Sequence, residues 1–284
     1  MERVPTVTES GAEAASSLGE SDSAYVFDAD TAVVELREGR YGATMSPRWR
    51  LPPGHLNGGY VLSVCVRALA DALPLPDPLV VSAFFERAVL PGPAQLDVEV
   101  ARTGRRLAFG EARLGQGGRE LVRAVASFGD LSALEGPTVI GSAAPDLPPP
   151  EACFDIAEDR PDLRQSVANN VEVRYPKMPG WRQRQPSGEH SVELWLRFAD
   201  GRDADVIALT GLVDMTVPQV FELGPRASST IELTVHVRSR PAPGWLACRS
   251  VTNYICDGLH ETDFEIWDST GRLCAQSRQL ALIT

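Results

Sequence analysis

No apolar run in this 284-residue chain approaches the roughly 20 residues needed to span a bilayer. Basic residues are also in deficit: 27 Lys and Arg stand against 38 Asp and Glu, a formal net charge of −11. A nucleic-acid partner would need positive charge to displace counterions from phosphates, so none is expected. Cysteines with the spacing of a disulfide framework or a zinc site are missing. The five thiols, Cys65, Cys153, Cys248, Cys256 and Cys274, are odd in number, irregularly spaced and without a Cys-x-x-Cys. They read as buried free thiols of a reducing compartment. No Gly-x-Ser-x-Gly turn that would present a serine nucleophile occurs. No second histidine follows His260-Glu261 at metal-binding spacing, so neither a metal nor another cofactor is expected. The first residues are acidic rather than basic and then apolar, which argues against a secretory signal and for the cytoplasm.

What is present is ordinary globular composition, 43% hydrophobic and 23% charged, which excludes a wholly disordered or fibrous chain. The length suits roughly two domain-sized units. Residues 1–23 are small, polar and acidic and read as a mobile tail. Two short strands follow around Val33-Val34-Glu35-Leu36-Arg37 and Tyr41-Gly42-Ala43-Thr44-Met45. A Pro/Gly cluster ends in His55-Leu56-Asn57-Gly58-Gly59, and residues 60–73 then form a long stretch charged only at Arg67 and Asp71. It is apolar on most faces, so it predicts a largely buried helix. Four strand-like runs, 79–85, 96–100, 107–114 and 121–128, are separated by turn signals at Pro91-Gly92-Pro93, Thr103-Gly104 and Gly115-Gln116-Gly117-Gly118.

Residues 131–166 are a proline-punctuated linker that should cross a surface in extended form. The order of elements then returns. Strands are predicted near 171–174 and 192–196, a helix over 203–223 with Pro218 ending or kinking it late, and four strands at 230–237, 246–256, 262–267 and 273–283. Turns recur at matching places: Pro91-Gly92-Pro93 against Pro241-Ala242-Pro243, and Gly118-Arg119 against Gly271-Arg272. A duplication of about 150 residues is the most economical reading. Each unit is α+β, a curved, mostly antiparallel sheet wrapped around one long central helix too apolar to face water. The predicted division is an N-terminal unit 24–130, the linker 131–166 and a C-terminal unit 167–284.

Several residues stand out against this frame. Asp214 lies between Val213 and Met215 in an otherwise apolar stretch, where a buried carboxylate must be paired or hydrogen-bonded. Thr230 opens a strand whose alternation places Thr230, Glu232, Thr234 and His236 on one face. Gln279 shares a face with Ser277 and Ala281 on the last strand. Gly58 and Gly59 at a helix start present backbone N–H groups that can polarise a carbonyl, with His55 and Asn57 beside them. The first half carries Val64, Val80 and Ala126 near the positions of Asp214, Thr230 and Gln279, so one half is apolar where the other is polar. Arg102, Arg105 and Arg106 cluster at a turn and could meet phosphates.

The architecture resembles the hotdog fold, in tandem as a double hotdog. The segment His55-Leu56-Asn57-Gly58-Gly59-Tyr60-Val61-Leu62 resembles the Gly-Gly start of a hotdog helix, and residues 24–284 resemble the acyl-CoA thioesterase II (TesB-like) family. In the C-terminal half, Leu212-Val213-Asp214-Met215-Thr216, Ser229-Thr230-Ile231-Glu232 and Cys274-Ala275-Gln276-Ser277-Arg278-Gln279-Leu280 supply an Asp, a Thr and a Gln in the family's order. The resemblance implies hydrolysis of acyl-CoA thioesters to free acid and CoA. Asp214, Thr230 and Gln279 would hold and activate a water, with His55, Asn57, Gly58 and Gly59 touching substrate. Homo-oligomerisation is implied as well. Segment 177–186, long for a strand connection, departs from the family pattern and could shape the acyl pocket. A non-catalytic acyl-CoA or acyl-chain binding module is the alternative. A hotdog hydratase is a weaker one, since no Gly-Asp-x-Asn-Pro-type motif is present.

Overall fold

A computed structural model describes residues 25–52, 54–158, 166–225 and 227–284; the predicted tail, 1–23, lies outside the described residues. The chain begins with a short helix α1 (Val26–Asp30), strands β1 (Val33–Arg37) and β2 (Arg40–Met45), and the long helix α2 (Gly58–Ala72). Strands β3 (Asp77–Phe85), β4 (Gly92–Thr103), β5 (Ala108–Gln116) and β6 (Arg119–Gly129) complete the first half. The second half comprises β7 (Phe154–Asp155), β8 (Val171–Tyr175), β9 (Ser191–Phe198), helix α3 (Val206–Leu212), β10 (Ser228–Val237), β11 (Leu246–Val251), β12 (Ile255–Cys256), β13 (Leu259–Trp267) and β14 (Leu273–Ile283).

These strands form one sheet in the order β1-β2-β4-β5-β6-β3-β10-β14-β13-β11-β9-β8-β7, with β12 paired to β13. Every pairing between its strands is antiparallel. The two halves meet at β3 and β10, where Leu233 pairs with Ala83 and Val235 with Val81. On each side of that joint the central strand is the one that follows the helix, and the next strand outward is the last of its half.

The helices lie against one face of this sheet because neither can be left in water. In α2 the side chains from Tyr60 to Val66, with Ala68 and Leu69, are all buried, so apolar surface surrounds the helix instead of forming one stripe. It touches β3, β4, β5 and β6 on the sheet and α3 beside it. The two helices meet at glycines. A Cβ at Gly59 would lie 2.2 Å from the Gly211 carbonyl oxygen, and one at Gly211 would lie 2.3 Å from Ser63 Oγ. No other residue permits that approach.

Helix α3 is far shorter than the stretch 203–223 predicts. It ends at Leu212, and a separate 3-10 helix occupies Gln219–Leu223. Pro218 keeps the two helices from merging, since it has no N–H to give the carbonyl of Asp214 four residues back and disfavours helical geometry at Val217. It does not set the end at Leu212, where Asp214 N and Met215 N already bond three residues back, to the Gly211 and Leu212 carbonyls. The predicted strand 246–256 is likewise split into β11 and β12. Cys256 is exposed, against the expectation of burial, while the other four free thiols are buried as expected.

The start of α3 is anchored by a guanidinium. Arg202 is 8% exposed. It donates to both Asp28 oxygens at 2.7 Å and to Asp205 Oδ2 at 2.6 Å, and it lies 5.1 Å above the Phe27 ring. Asp205 also caps α3 by accepting from Ala208 N, and Arg67 on α2 donates to Asp28 at 2.5 Å. Three helices therefore share one ionic cluster. Arg202→Met should lower stability by about 1–2 kcal/mol, because it removes the shared partner of two carboxylates that solvent and Arg67 still partly compensate. Urea denaturation reads this as a lower midpoint at unchanged slope; a midpoint equal to wild type would show that Arg67 alone suffices.

Candidate active site

Pro218 has a second consequence. The Asp214 carbonyl, left without a helical donor, accepts from Asn57 Nδ2 at 2.7 Å. Asn57 is the N-cap of α2, and its Oδ1 accepts from Tyr60 N at 2.9 Å. One amide thus caps the first helix and ties down the segment that follows the second. This places the Asp214 carboxylate at the N-terminus of α2. Its Oδ2 accepts from Gly59 N at 2.8 Å and from Asn57 Nδ2 at 3.3 Å, and its Oδ1 accepts from Gln279 Nε2 at 3.0 Å. Gln279 is 7% exposed, and its Nε2 also donates to Thr230 Oγ1 at 2.5 Å.

Thr230 reaches this cluster through an irregularity that alternation does not reveal. Thr230 pairs with Ala281, but Glu232 pairs with Leu280, so Ile231 is an extra residue in β10. This β-bulge reverses the face of everything before it. Thr230 stands with Gln279, Ala281 and Leu233 on the inner face, not with Glu232, Thr234 and His236 on the outer face as the sequence pattern predicts.

Burial pushes the Asp214 carboxyl up to about 6, although the hydrogen bonds from Gly59, Gln279 and Asn57 pull the other way. The residue as a whole is half-buried, while the carboxyl is surrounded by protein. A carboxylate that titrates there is ionised at neutral pH and still basic enough to take a proton.

Of the seven residues singled out from the sequence, six converge: Asp214, Thr230, Gln279, Asn57, Gly58 and Gly59. His55 is half-buried on the preceding loop, and its backbone oxygen accepts from Leu51 N at 2.8 Å. Among the described residues no hydrogen bond joins its ring to the cluster. The α2 amides are used differently from the expectation. Gly59 N–H serves Asp214, Tyr60 N–H serves Asn57 Oδ1, and Val61 N–H serves Asn57 O. Gly58 N–H is left without a partner among the described residues, at the positive end of the helix and beside the carboxylate. The ring of Phe85, at the end of β3, lies 3.3 Å from where a Gly58 Cβ would be. No sequence signal pointed to Phe85, because two residues adjacent in space here are 27 apart in the chain.

Two other expectations fall away from the cluster. The carbonyl of Arg106 lies beside Gly129, which pairs with Asp77 at the far end of β3 from Phe85. Eight residues of strand separate that arginine turn from the site, up to about 26 Å if fully extended. Segment 177–186 is strapped down by Glu222, whose carboxylate accepts from Trp181 N at 3.0 Å and Ser187 N at 2.7 Å. It lines a cleft of about 470 Å³ with Tyr175 and Gln219, and that lining does not include Asp214, Thr230 or Gln279.

Residues 45–129 match the acyl-CoA thioesterase N-terminal domain, and residues 145–283 match the acyl-CoA thioesterase C-terminal domain. The chain belongs to the acyl-CoA thioesterase family. Its TesB-like character is supported by solved structures. A candidate thioesterase II from Thermobifida fusca YX is 28% identical, with a TM-score of 0.83 over 92% of this chain and 98% of that one. A protein of unknown function with a hot dog fold from Alicyclobacillus acidocaldarius shares the fold at 22% identity and a TM-score of 0.81, covering 92% of this chain and 98% of that one. An uncharacterised protein of Mycobacterium tuberculosis is 27% identical across 84% of this chain and 89% of its own length. This acyl-CoA thioesterase is therefore a hotdog-fold hydrolase of thioesters. No helix among its described residues is long and apolar enough to cross a membrane.

Proposed function

We propose that this thioesterase hydrolyses acyl-CoA with a water activated by Asp214 and held by Thr230 and Gln279. The observation that carries the reading is the unequal use of the two carboxylate oxygens. Oδ2 is committed to Gly59 N and Asn57 Nδ2, whereas Oδ1 has Gln279 Nε2 alone and keeps a lone pair for a water proton. Thr230 Oγ1 accepts from Gln279, so its own proton is free to point into the site. Attack on the thioester carbonyl puts negative charge on its oxygen, and the Gly58 N–H, unpartnered among the described residues, is the backbone donor suited to receive it. Collapse of that intermediate breaks the C–S bond and releases CoA thiolate and the acid. No acyl-enzyme is required.

Gln279→Ala tests whether Gln279 holds Asp214 and Thr230 in place around the water. Two hydrogen bonds are lost, one of them to a charged group, so kcat for free-CoA release should fall about 10–100-fold. The assay uses short, medium and long acyl-CoAs and the intact fold as control. Unchanged kcat on every chain length would remove Gln279 from the reaction, and saturable binding without turnover by wild type would favour the binding-module alternative.

We also read the chain as a tandem of two hotdog units, 24–130 and 167–284, joined by 131–166. The matching strand succession on either side of the β3–β10 joint supports this. A single proteolytic cut inside 131–166 should leave two folded fragments associated; a cut that unfolds the chain would contradict the division.

A further inference from the structure

One polar pair on the inner face takes no part in the scheme above. Ser228 Oγ lies 2.7 Å from His260 Nε2. His260 is 1% exposed and Ser228 is half-buried. The other ring nitrogen, Nδ1, faces the Glu261 carbonyl oxygen at 3.4 Å. A carbonyl only accepts, so Nδ1 carries the proton and Nε2 accepts from the serine hydroxyl. Burial holds the ring below the usual histidine range, in keeping with a neutral imidazole.

The pair sits where β10 is least supported. The ladder between β10 and β3 begins only at Glu232, which pairs with Phe84. Residues 228–230 are therefore held on one side alone, by β14, through Ser228–Ile283 and Thr230–Ala281 pairing. The bulge at Ile231 separates them from the rest of the strand and adds a residue the ladder does not fix. His260 belongs to the next strand over: Ala281 pairs with Thr230 on one side and with His260 on the other. The Ser228–His260 bond thus passes over β14 and fastens the loose start of β10 to β13. Ser228 is two residues from Thr230 and faces the same way, because its partner Ile283 shares a face with Ala281 and Gln279.

We infer that the Ser228–His260 hydrogen bond is a positioning device that holds the bulge and so aims the Thr230 hydroxyl at Gln279. The inference rests on the Asp214–Thr230–Gln279 reading. Neither residue touches the reacting atoms; both act through Thr230.

The experiment is a double-mutant cycle on acyl-CoA hydrolysis, with thermal melts as fold controls. His260→Phe keeps a ring but removes the acceptor, and His260→Gln keeps an acceptor at similar reach. The expected result is that H260F lowers kcat about tenfold with KM within about twofold, the size of one lost hydrogen bond. H260Q should recover most of the loss, and H260F should add nothing in a Thr230→Ala background. Should H260F fail to fold, Ser228→Ala at the half-buried end of the pair must give the same pattern. Unchanged kcat in H260F or S228A while T230A loses activity would overturn the inference and leave the catalytic reading standing. So would losses that multiply in the double variant. Full kcat in T230A would instead remove the role of Thr230 itself, and this inference with it.

Discussion

Asp214→Asn should lower acyl-CoA hydrolysis about 10²–10⁴-fold, the ordinary contribution of a positioned general base. The substitution removes the base and little else. An Asn oxygen can take the place of Oδ2 and accept from Gly59 N and Asn57 Nδ2. The Asn NH₂ then faces Gln279, whose amide can turn to present its oxygen, and the Thr230 hydroxyl can donate where it formerly accepted. The fold should therefore survive, and the sign of the stability change follows from the pKa. The carboxyl is raised from 3.8 to about 6 in the folded chain, so the native state holds its proton more tightly than the unfolded state. Its destabilising effect is absent below the unfolded value, grows as pH rises, and is complete above about 6. At pH 7 the neutral Asn should melt no lower than wild type while kcat collapses. Loss of folding together with activity would mean that Asp214 is structural first.

Gly59→Ala should be strongly destabilising. Its Cβ would fall 2.2 Å from the Gly211 carbonyl oxygen and 3.0 Å from Asp214 Cβ. The first obstacle is backbone, which cannot rotate aside, so α2 and α3 must separate. Overpacking of a buried contact costs about 1–3 kcal/mol and occasionally more; a backbone clash between two buried helices belongs at the upper end. The same displacement would pull Gly59 N–H off Asp214 Oδ2. Activity should therefore fall even in molecules that remain folded. Urea denaturation and CoA release on the same preparation separate the two effects. Wild-type stability and activity in G59A would contradict the described helix contact.

Much of this site can be read in the chain because its parts are locally unusual. Asn57-Gly58-Gly59 before an apolar run marks a capped helix start. Asp214 is conspicuous in an apolar stretch, and Gln279 is inward-facing by simple alternation from Ala281. What escapes is whatever depends on partners far along the chain. The bulge at Ile231 is a property of the ladder with β14, and it inverts the predicted face of Thr230. Gly59 N–H looks free for substrate until Asp214, 155 residues later, takes it. The end of α3 at Leu212 is not written in Pro218, whose lost donor and pre-proline restriction reach back only to Asp214 and Val217. Within 131–166, the two-residue strand β7 pairs with β8, a pairing the proline pattern does not announce. Short edge pairings of this kind carry almost no periodic signal.

The most direct measurement is the pH dependence of kcat/KM for acyl-CoA hydrolysis by wild type and by Asp214→Asn. Wild-type activity should be half-maximal near pH 6, approach full about one unit above it and fall tenfold per pH unit well below it, because protonated Asp214 cannot accept the water proton. In D214N that limb should vanish, with only a low residual rate. A wild-type profile flat through pH 6, or the same limb persisting in D214N, would show that Asp214 is not the base.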